Sequence, residues 1–211
     1  VIITDVGSSK SDVIKLSEKI LRKETSFIPG HPIAGTEESG PKSGLLNLFK
    51  KRWFISTPCK LSKKKDQRKI ERLWIKFGSK VTSMSAGSHD SIMAITSHIP
   101  HLIAYNIVGT ASKLEAKIKS EVIKFSASGF RDFTRIASSD PTMWRDIMIG
   151  NKKQILFMLK KFSKDLKYLE KAIQNNNKKE LFNFFQKTRN IRAKVIKAGQ
   201  DIKAPNFGRK N

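Results

Sequence analysis

The run Gly30-His31-Pro32-Ile33-Ala34-Gly35-Thr36-Glu37-Glu38-Ser39-Gly40 sets a histidine, turn glycines and two acids between an apolar segment and a loop. Neutral imidazole is a ready general base near pH 7. Glycine on one side and proline on the other restrict the backbone of His31, so its ring can be presented in a fixed direction. A plain strand-to-loop turn would use the same residues, and on this segment alone both readings stand. The other histidines are His89, His98 and His101. His98 and His101, in Ser97-His98-Ile99-Pro100-His101, share roughly one face of a helix. No His-Glu-x-x-His pattern or carboxylate partner fixes a metal there, so no metal site is expected. Instead, one of these imidazoles is expected to cap or pack while the other hydrogen-bonds an anionic ligand in a cleft. The third cluster runs from Ser128 to Asp146 and carries Arg131, Arg135 and Arg145 beside Trp144. Guanidinium suits bidentate carboxylate recognition, and the indole supplies an apolar wall. Structural pairing with Asp132, Asp140 or Asp146 is the competing reading, preferred for Arg145 and left open for Arg135.

These groups need a frame, and 211 residues with 38% hydrophobic content suffice for a buried core. Cys59 is the one cysteine, which excludes an internal disulfide framework and fits a reducing cytoplasm. No run reaches the ~18 apolar residues of a membrane span, and Val1-Ile2-Ile3-Thr4 lacks the basic flank of a signal peptide. Lysine and arginine outnumber acids 42 to 18, for a net charge of +24. Such a balance raises the possibility of a basic helical nucleic-acid-binding protein. The charge is mostly lysine spread over helix faces and loops, as in Lys63-Lys64-Lys65 and Lys178-Lys179, without an arginine stripe interleaved with aromatics. An anionic small substrate would profit from the same field.

Strand and helix signals alternate up to residue 86: strands at Val1–Val6, Phe27–Ile28, Trp53–Ser56 and Lys80–Met84, with helices at Asp12–Lys23 and Asp66–Phe77. On the second helix, Ile70, Leu73, Trp74 and Phe77 form the apolar face. This alternation predicts a parallel sheet in an α/β layer. From residue 87 the pattern is helical: Ser88–Lys119 kinked at Pro100, a short helix at Ile118–Ser126, and an irregular segment from Ser126 to Asp140. A long helix then runs from Pro141 to about Ile173 with Asp140 as cap, followed by Glu180–Lys197 and a tail from Ala204. The expected domains are therefore 1–86, α/β, and 87–211, all-α. No Gly-x-Gly-x-x-Gly follows a strand, and no acidic residue some ~20 positions beyond one stands ready for a ribose.

Together with Asp5-Val6-Gly7-Ser8-Ser9-Lys10, the His31 run, the Ser97–His101 segment and Gly129-Phe130-Arg131-Asp132-Phe133-Thr134-Arg135-Ile136-Ala137 with Asp140-Pro141 and Met143-Trp144-Arg145-Asp146 resemble the prephenate/arogenate (cyclohexadienyl) dehydrogenases of tyrosine biosynthesis. Order and spacing match from about residue 2 to 200. The resemblance implies the C-terminal part of a Rossmann-like NAD(P)-binding domain followed by a helical domain through which two subunits dimerise. Its departure from the family is the missing first strands and glycine-rich loop, which implies an N-terminally truncated sequence.

The resemblance also implies a chemistry and its residues. A hydride leaves C4 of a cyclohexadienol for NAD or NADP while a carboxylate leaves as carbon dioxide. His31 matches the histidine that accepts a hydrogen bond from the C4 hydroxyl, and Ser8 the serine supporting that hydroxyl and the nicotinamide. Gly7 and Pro32 fall beside the cofactor. Arg135 and His101 match substrate-binding groups, Thr36, Trp144 and Ser97 line the pocket, and Arg131 lies near the subunit boundary. The substrate would be prephenate or arogenate, and the cytoplasm the compartment. A different two-domain β-hydroxyacid-type dehydrogenase is the rival within enzymology.

Overall fold

The computed structural model describes residues 1–197 except 36, 39, 115–119 and 123. The chain divides into two compact units, Val1–Leu159 and Lys160–Asn211. In the first, β1 (Ile2–Thr4) pairs in parallel with β2 (Ser26–Ile28) across the crossover helix α1 (Ser11–Ile20). After Pro29 the chain enters β3 (Gly30–Pro32), which pairs antiparallel with β4 (Trp53–Ser56). Across α2 (Lys64–Lys76), β4 then pairs in parallel with β5 (Lys80–Ser83). The expected all-parallel sheet is thus corrected to a mixed arrangement of two small sheets. Likewise, His31 sits not on a turn but within β3, opposite Ile55.

Phe27, Ile28, Phe54, Ile55 and Trp74 form the core of this part. Phe54 stacks on Trp74 at 4.5 Å between ring centroids. Burial on α2 is narrower than its apolar spacing predicts: Trp74 is buried, whereas Leu73 and Phe77 are exposed.

The helical part begins with α3 (Ala86–Met93), whose cap Ser85 accepts the amide of Ser88 at 3.1 Å. A π-helical turn at Ala94–His98 leads into α4 (Ile99–Ser112). Pro100 therefore lies in the first turn of α4, and the irregularity is the wide turn before it rather than a kink at the proline. The missing N–H and ring bulk of proline disfavour tight i to i−4 closure, which a π turn relieves. The predicted helix at Ile118–Ser126 falls partly, and the tail from Ala204 wholly, outside the described residues. Ser126–Asp140 is more ordered than expected, with α5 (Ser128–Thr134) and a 3₁₀ turn at Arg135–Ser138. Its hydroxyls bond back along the chain, Thr134 Oγ1 to the Phe130 carbonyl at 2.7 Å and Ser138 Oγ to the Arg135 carbonyl at 2.7 Å, so the polar composition is compatible with helix.

Asp140 caps α6 (Pro141–Gly150) by accepting the Met143 amide at 2.7 Å, as expected. The predicted long helix is instead two, since Asn151 separates α6 from α7 (Lys152–Gln174). Gly150 lets α6 approach the β1–α1 loop, where a Cβ would lie 2.9 Å from Ser9 Oγ. Tyr105 on α4 donates to the Ser139 carbonyl at 2.6 Å and ties the 3₁₀ segment to that helix.

The second unit holds the end of α7 and α8 (Lys178–Lys197). Asn177 caps α8, accepting the Glu180 amide at 3.1 Å and donating to its carboxylate at 2.8 Å. Ile173, Phe182 and Phe185 are exposed there. Among the described residues no helix is long and apolar enough to cross a membrane.

Candidate functional site

The loop at the carboxyl end of β1 is organised around the fully buried Lys10. Its ammonium pairs with Asp5 and donates to the Gly30 carbonyl at 2.7 Å, while the Gly30 amide donates to Asp5 at 3.1 Å. Burial draws the lysine pKa below its ordinary value, against the opposing pull of Asp5 and Asp90. The result is that β3, and with it His31, is held to the end of β1 by two charge-assisted contacts.

On its other side His31 meets α3. Its Nδ1 lies 2.9 Å from His89 Nε2, and His89 Nδ1 lies 2.9 Å from Asp90 Oδ1. The Asp90 carboxylate also accepts the amides of Lys10 at 2.9 Å and Ser11 at 2.8 Å. Burial would raise its pKa, but the hydrogen bonds from His89, Ser11 and Lys10 outweigh it and the net shift is downward. Burial, then the neighbouring His89, Lys10 and His98, lower the His31 pKa to about 3. The imidazole is neutral at physiological pH, the state that a hydrogen-bond acceptor requires.

His98 and His101 sit in different surroundings. His98 is fully buried, and its pKa falls to about 4 through burial and then, against the pull of Asp90, through His89 and His101. The buried Asn151 amide donates to the Asp90 carbonyl at 2.8 Å and stands 3.1 Å from His98 Nδ1. With that amide as donor, His98 Nδ1 accepts and Nε2 carries the proton. His101 donates through Nδ1 to the Ser97 carbonyl at 2.8 Å and stacks on Trp144 at 3.5 Å. Burial and Arg135 lower its pKa, against the bond to Ser97. Neutral His101 therefore presents a bare Nε2, which becomes a donor only on taking up a proton.

Arg135 pairs with Glu37 at 2.5 Å, not with Asp132, Asp140 or Asp146. Arg131 and Arg145 do make neighbour pairs, with Asp132 at 3.1 Å and Asp146 at 2.7 Å. Arg135 Nε, His98 Nε2 and Trp144 Nε1 are buried and have no hydrogen-bond partner among the described residues. Buried donors without acceptors are costly. Here they lie close to the His101–Trp144 stack, with the His98 and Trp144 rings 6.1 Å apart. An acceptor-rich ligand would satisfy them.

All four histidines thus belong to one connected set with Asp90, Trp144 and Arg135. Ser8 is half-buried and Gly7 exposed in the β1–α1 loop, Pro32 is buried in β3, and Ser97 contributes its carbonyl. Arg131 is exposed beside Asp132, and Thr36 lies outside the described residues. Residue types alone missed His89, Asp90, Asn151 and Glu37. The adjacency His89-Asp90 and the Asp5 to Lys10 motif were the available signals.

Residues 1–83 match the nucleotide-binding domain of prephenate dehydrogenase and residues 85–187 its dimerization domain. The chain belongs to the prephenate dehydrogenase family. A cyclohexadienyl dehydrogenase of Zymomonas mobilis is 38% identical over 203 residues, covering 96% of this chain and 69% of that protein. The prephenate dehydrogenase of Bacillus subtilis is 32% identical and covers 90% of this chain, which spans 51% of that relative. Among solved structures, an Aquifex aeolicus prephenate dehydrogenase in complex with hydroxyphenyl propionate and NAD+ superposes with a TM-score of 0.85 at 36% identity, covering 92% of this chain and 67% of that one. A Synechocystis arogenate dehydrogenase gives 0.79 at 25% identity, covering 92% and 69%. The family is one of NAD(P)-dependent oxidoreductases, and the chain has its Rossmann-like part followed by its helical one.

Proposed function

We propose that the complete protein oxidatively decarboxylates prephenate or arogenate, giving 4-hydroxyphenylpyruvate or tyrosine, and that the residues gathered around His31 carry the reaction. The observation that supports this most directly is a half-buried, neutral imidazole on β3, set in one network with the permanent cation Arg135. The substrate C4 hydroxyl donates to His31. Acceptance of that bond pushes electron density toward C4 as its hydride departs, and the C1 carboxylate leaves as carbon dioxide while the ring becomes aromatic. The hydroxyl proton is still on the phenol at the end, so His31 need only hold it through the transition state.

Arg135 binds a substrate carboxylate. Its unpartnered Nε remains available although Glu37 engages the other end of the guanidinium. His101 and Trp144 wall the ring, with Ser97 fixing the imidazole of His101. The β1–α1 loop fits the nicotinamide end of a dinucleotide, because it lies at the carboxyl end of a parallel strand and exposes the Gly7 backbone. Gly7, Ser8 and Pro32 would hold that end, and NAD or NADP, when bound, accepts the hydride. Two copies pair through the helical part, a reading supported by the dimerization-domain match and by exposed Phe182 and Phe185, with Arg131 near the boundary. The lone Cys59 supports a reducing cytoplasm as the compartment. In the complete enzyme, His31→Ala lowers turnover of prephenate or arogenate by about 10² or more; a rate near that of the parent refutes the assignment.

A further inference from the structure

His89 and Asp90 follow the cap of α3, are 0% and 1% exposed, and reach no ligand in the mechanism above. Their alignment with His31 nevertheless constrains where protons can reside. The Asp90 carboxylate accepts two backbone amides and so stays an acceptor, which makes His89 Nδ1 a donor at 2.9 Å. With one proton on the ring, His89 Nε2 is then bare. A second bare nitrogen 2.9 Å away would oppose lone pair to lone pair, so the proton of neutral His31 must be on Nδ1 and be donated to His89. His31 Nε2 is left as the ring nitrogen with an open lone pair.

We infer that Asp90 and His89 are positioning residues that fix the tautomer of His31, holding Nε2 as the acceptor for the substrate hydroxyl. This rests on the reading of His31 as that acceptor. In the opposite tautomer Nε2–H would donate to the hydroxyl, withdraw electron density and oppose hydride loss. The arrangement ends in a carboxylate held by the Lys10 and Ser11 amides. The charged and titratable groups facing His31 are His89 and Asp90 from α3, Lys10 from the β1–α1 loop and His98 from the π turn.

The test is nitrogen-15 NMR of the histidine rings in the complete enzyme, with His31 assigned by its absence from the spectrum of His31→Ala. Two-bond proton couplings identify which nitrogen is bare. The expected spectrum has Nδ1 protonated and Nε2 bare. An Nε2–H ring or an unresolved mixture in the parent protein overturns the inference, and this observation needs no variant to fold. His89→Ala is expected to release the tautomer and to lower kcat about 10- to 100-fold, with KM within about threefold. His89→Gln, whose side-chain carbonyl can accept from Nδ1, should restore the bare Nε2 and much of the rate. An unchanged tautomer and rate in His89→Ala would also overturn it. Failure of the functional reading looks different: there His31→Ala itself keeps the parent rate, whatever the tautomer.

Discussion

Gly30→Ala tests whether the strand carrying His31 is as closely seated as the structure implies. A Cβ on residue 30 would lie 2.2 Å from Phe54 Cζ and 2.5 Å from Cε2. Carbon atoms rest at about 3.5–4.0 Å, so ring or strand must yield by more than about 1 Å. The ring has no room to do so: Phe54 is fully buried and stacks on Trp74, which is flanked edge-on by Phe49 at 4.9 Å and Phe77 at 5.5 Å. Movement of β3 instead stretches the Gly30 amide bond to Asp5 and the bond from Lys10 to its carbonyl. Overpacking of this kind costs about 1–3 kcal/mol, and a clash with an immobile ring belongs near the upper end. Equilibrium urea unfolding of the complete protein, followed by tryptophan fluorescence, gives the value. Phe54→Ala alone should cost about 3–5 kcal/mol. In that background the added methyl finds space, so Gly30→Ala should cost less than about 1 kcal/mol and the pair should couple by about 2 kcal/mol. A Gly30→Ala protein within about 0.5 kcal/mol of the parent, or the same cost in both backgrounds, refutes the argument.

Arg135→Ala should raise KM roughly 10- to 100-fold and leave kcat within about threefold, since a charged hydrogen bond to a carboxylate is lost from bound substrate; steady-state kinetics with an unchanged KM would reject it as a ligand. Stability should fall as pH drops below about 6.5. The unfolded chain then takes up protons at His31 and His98, which the folded protein refuses until about 3 and about 4 respectively. Each imidazole contributes a slope of up to about 1.4 kcal/mol per pH unit between its unfolded and folded values, and stability above pH 7 is unaffected by either. Urea midpoints at pH 7.5, 6 and 5 measure this, and a flat profile would contradict the lowered proton affinity of both rings.

Local chemistry was legible where one residue decides the outcome. Asp140 before Pro141 specified a capped helix start, and the strand at Trp53–Ser56 followed from its apolar run. Pairing directions were not legible, because β3 is three residues long and its antiparallel partner is fixed by contacts 22 to 26 positions away, Gly30 with Ser56 and Pro32 with Phe54 among them. The helix break at Asn151 was equally hidden: its reason is an amide needed by Asp90 and His98, 61 and 53 positions distant. Within the site, His31, His101, Arg135 and Trp144 stood out by type. His89 did not, since a lone histidine declares a purpose only when its neighbours in space are known.

The π turn at Ala94–His98 has a consequence for direction. Along an uninterrupted α-helix each residue turns about 100°, so His98 would point about 180° and His101 about 120° away from His89. One residue absorbed in a wider turn subtracts about 100° from every later position, bringing His101 to about 20° and His98 to about 80° from His89. Three imidazoles that their spacing would scatter around a rod come to share one side of it. The wide turn acts as a phase shifter, and losing a single residue from it would rotate His98 and His101 out of the network without altering either one.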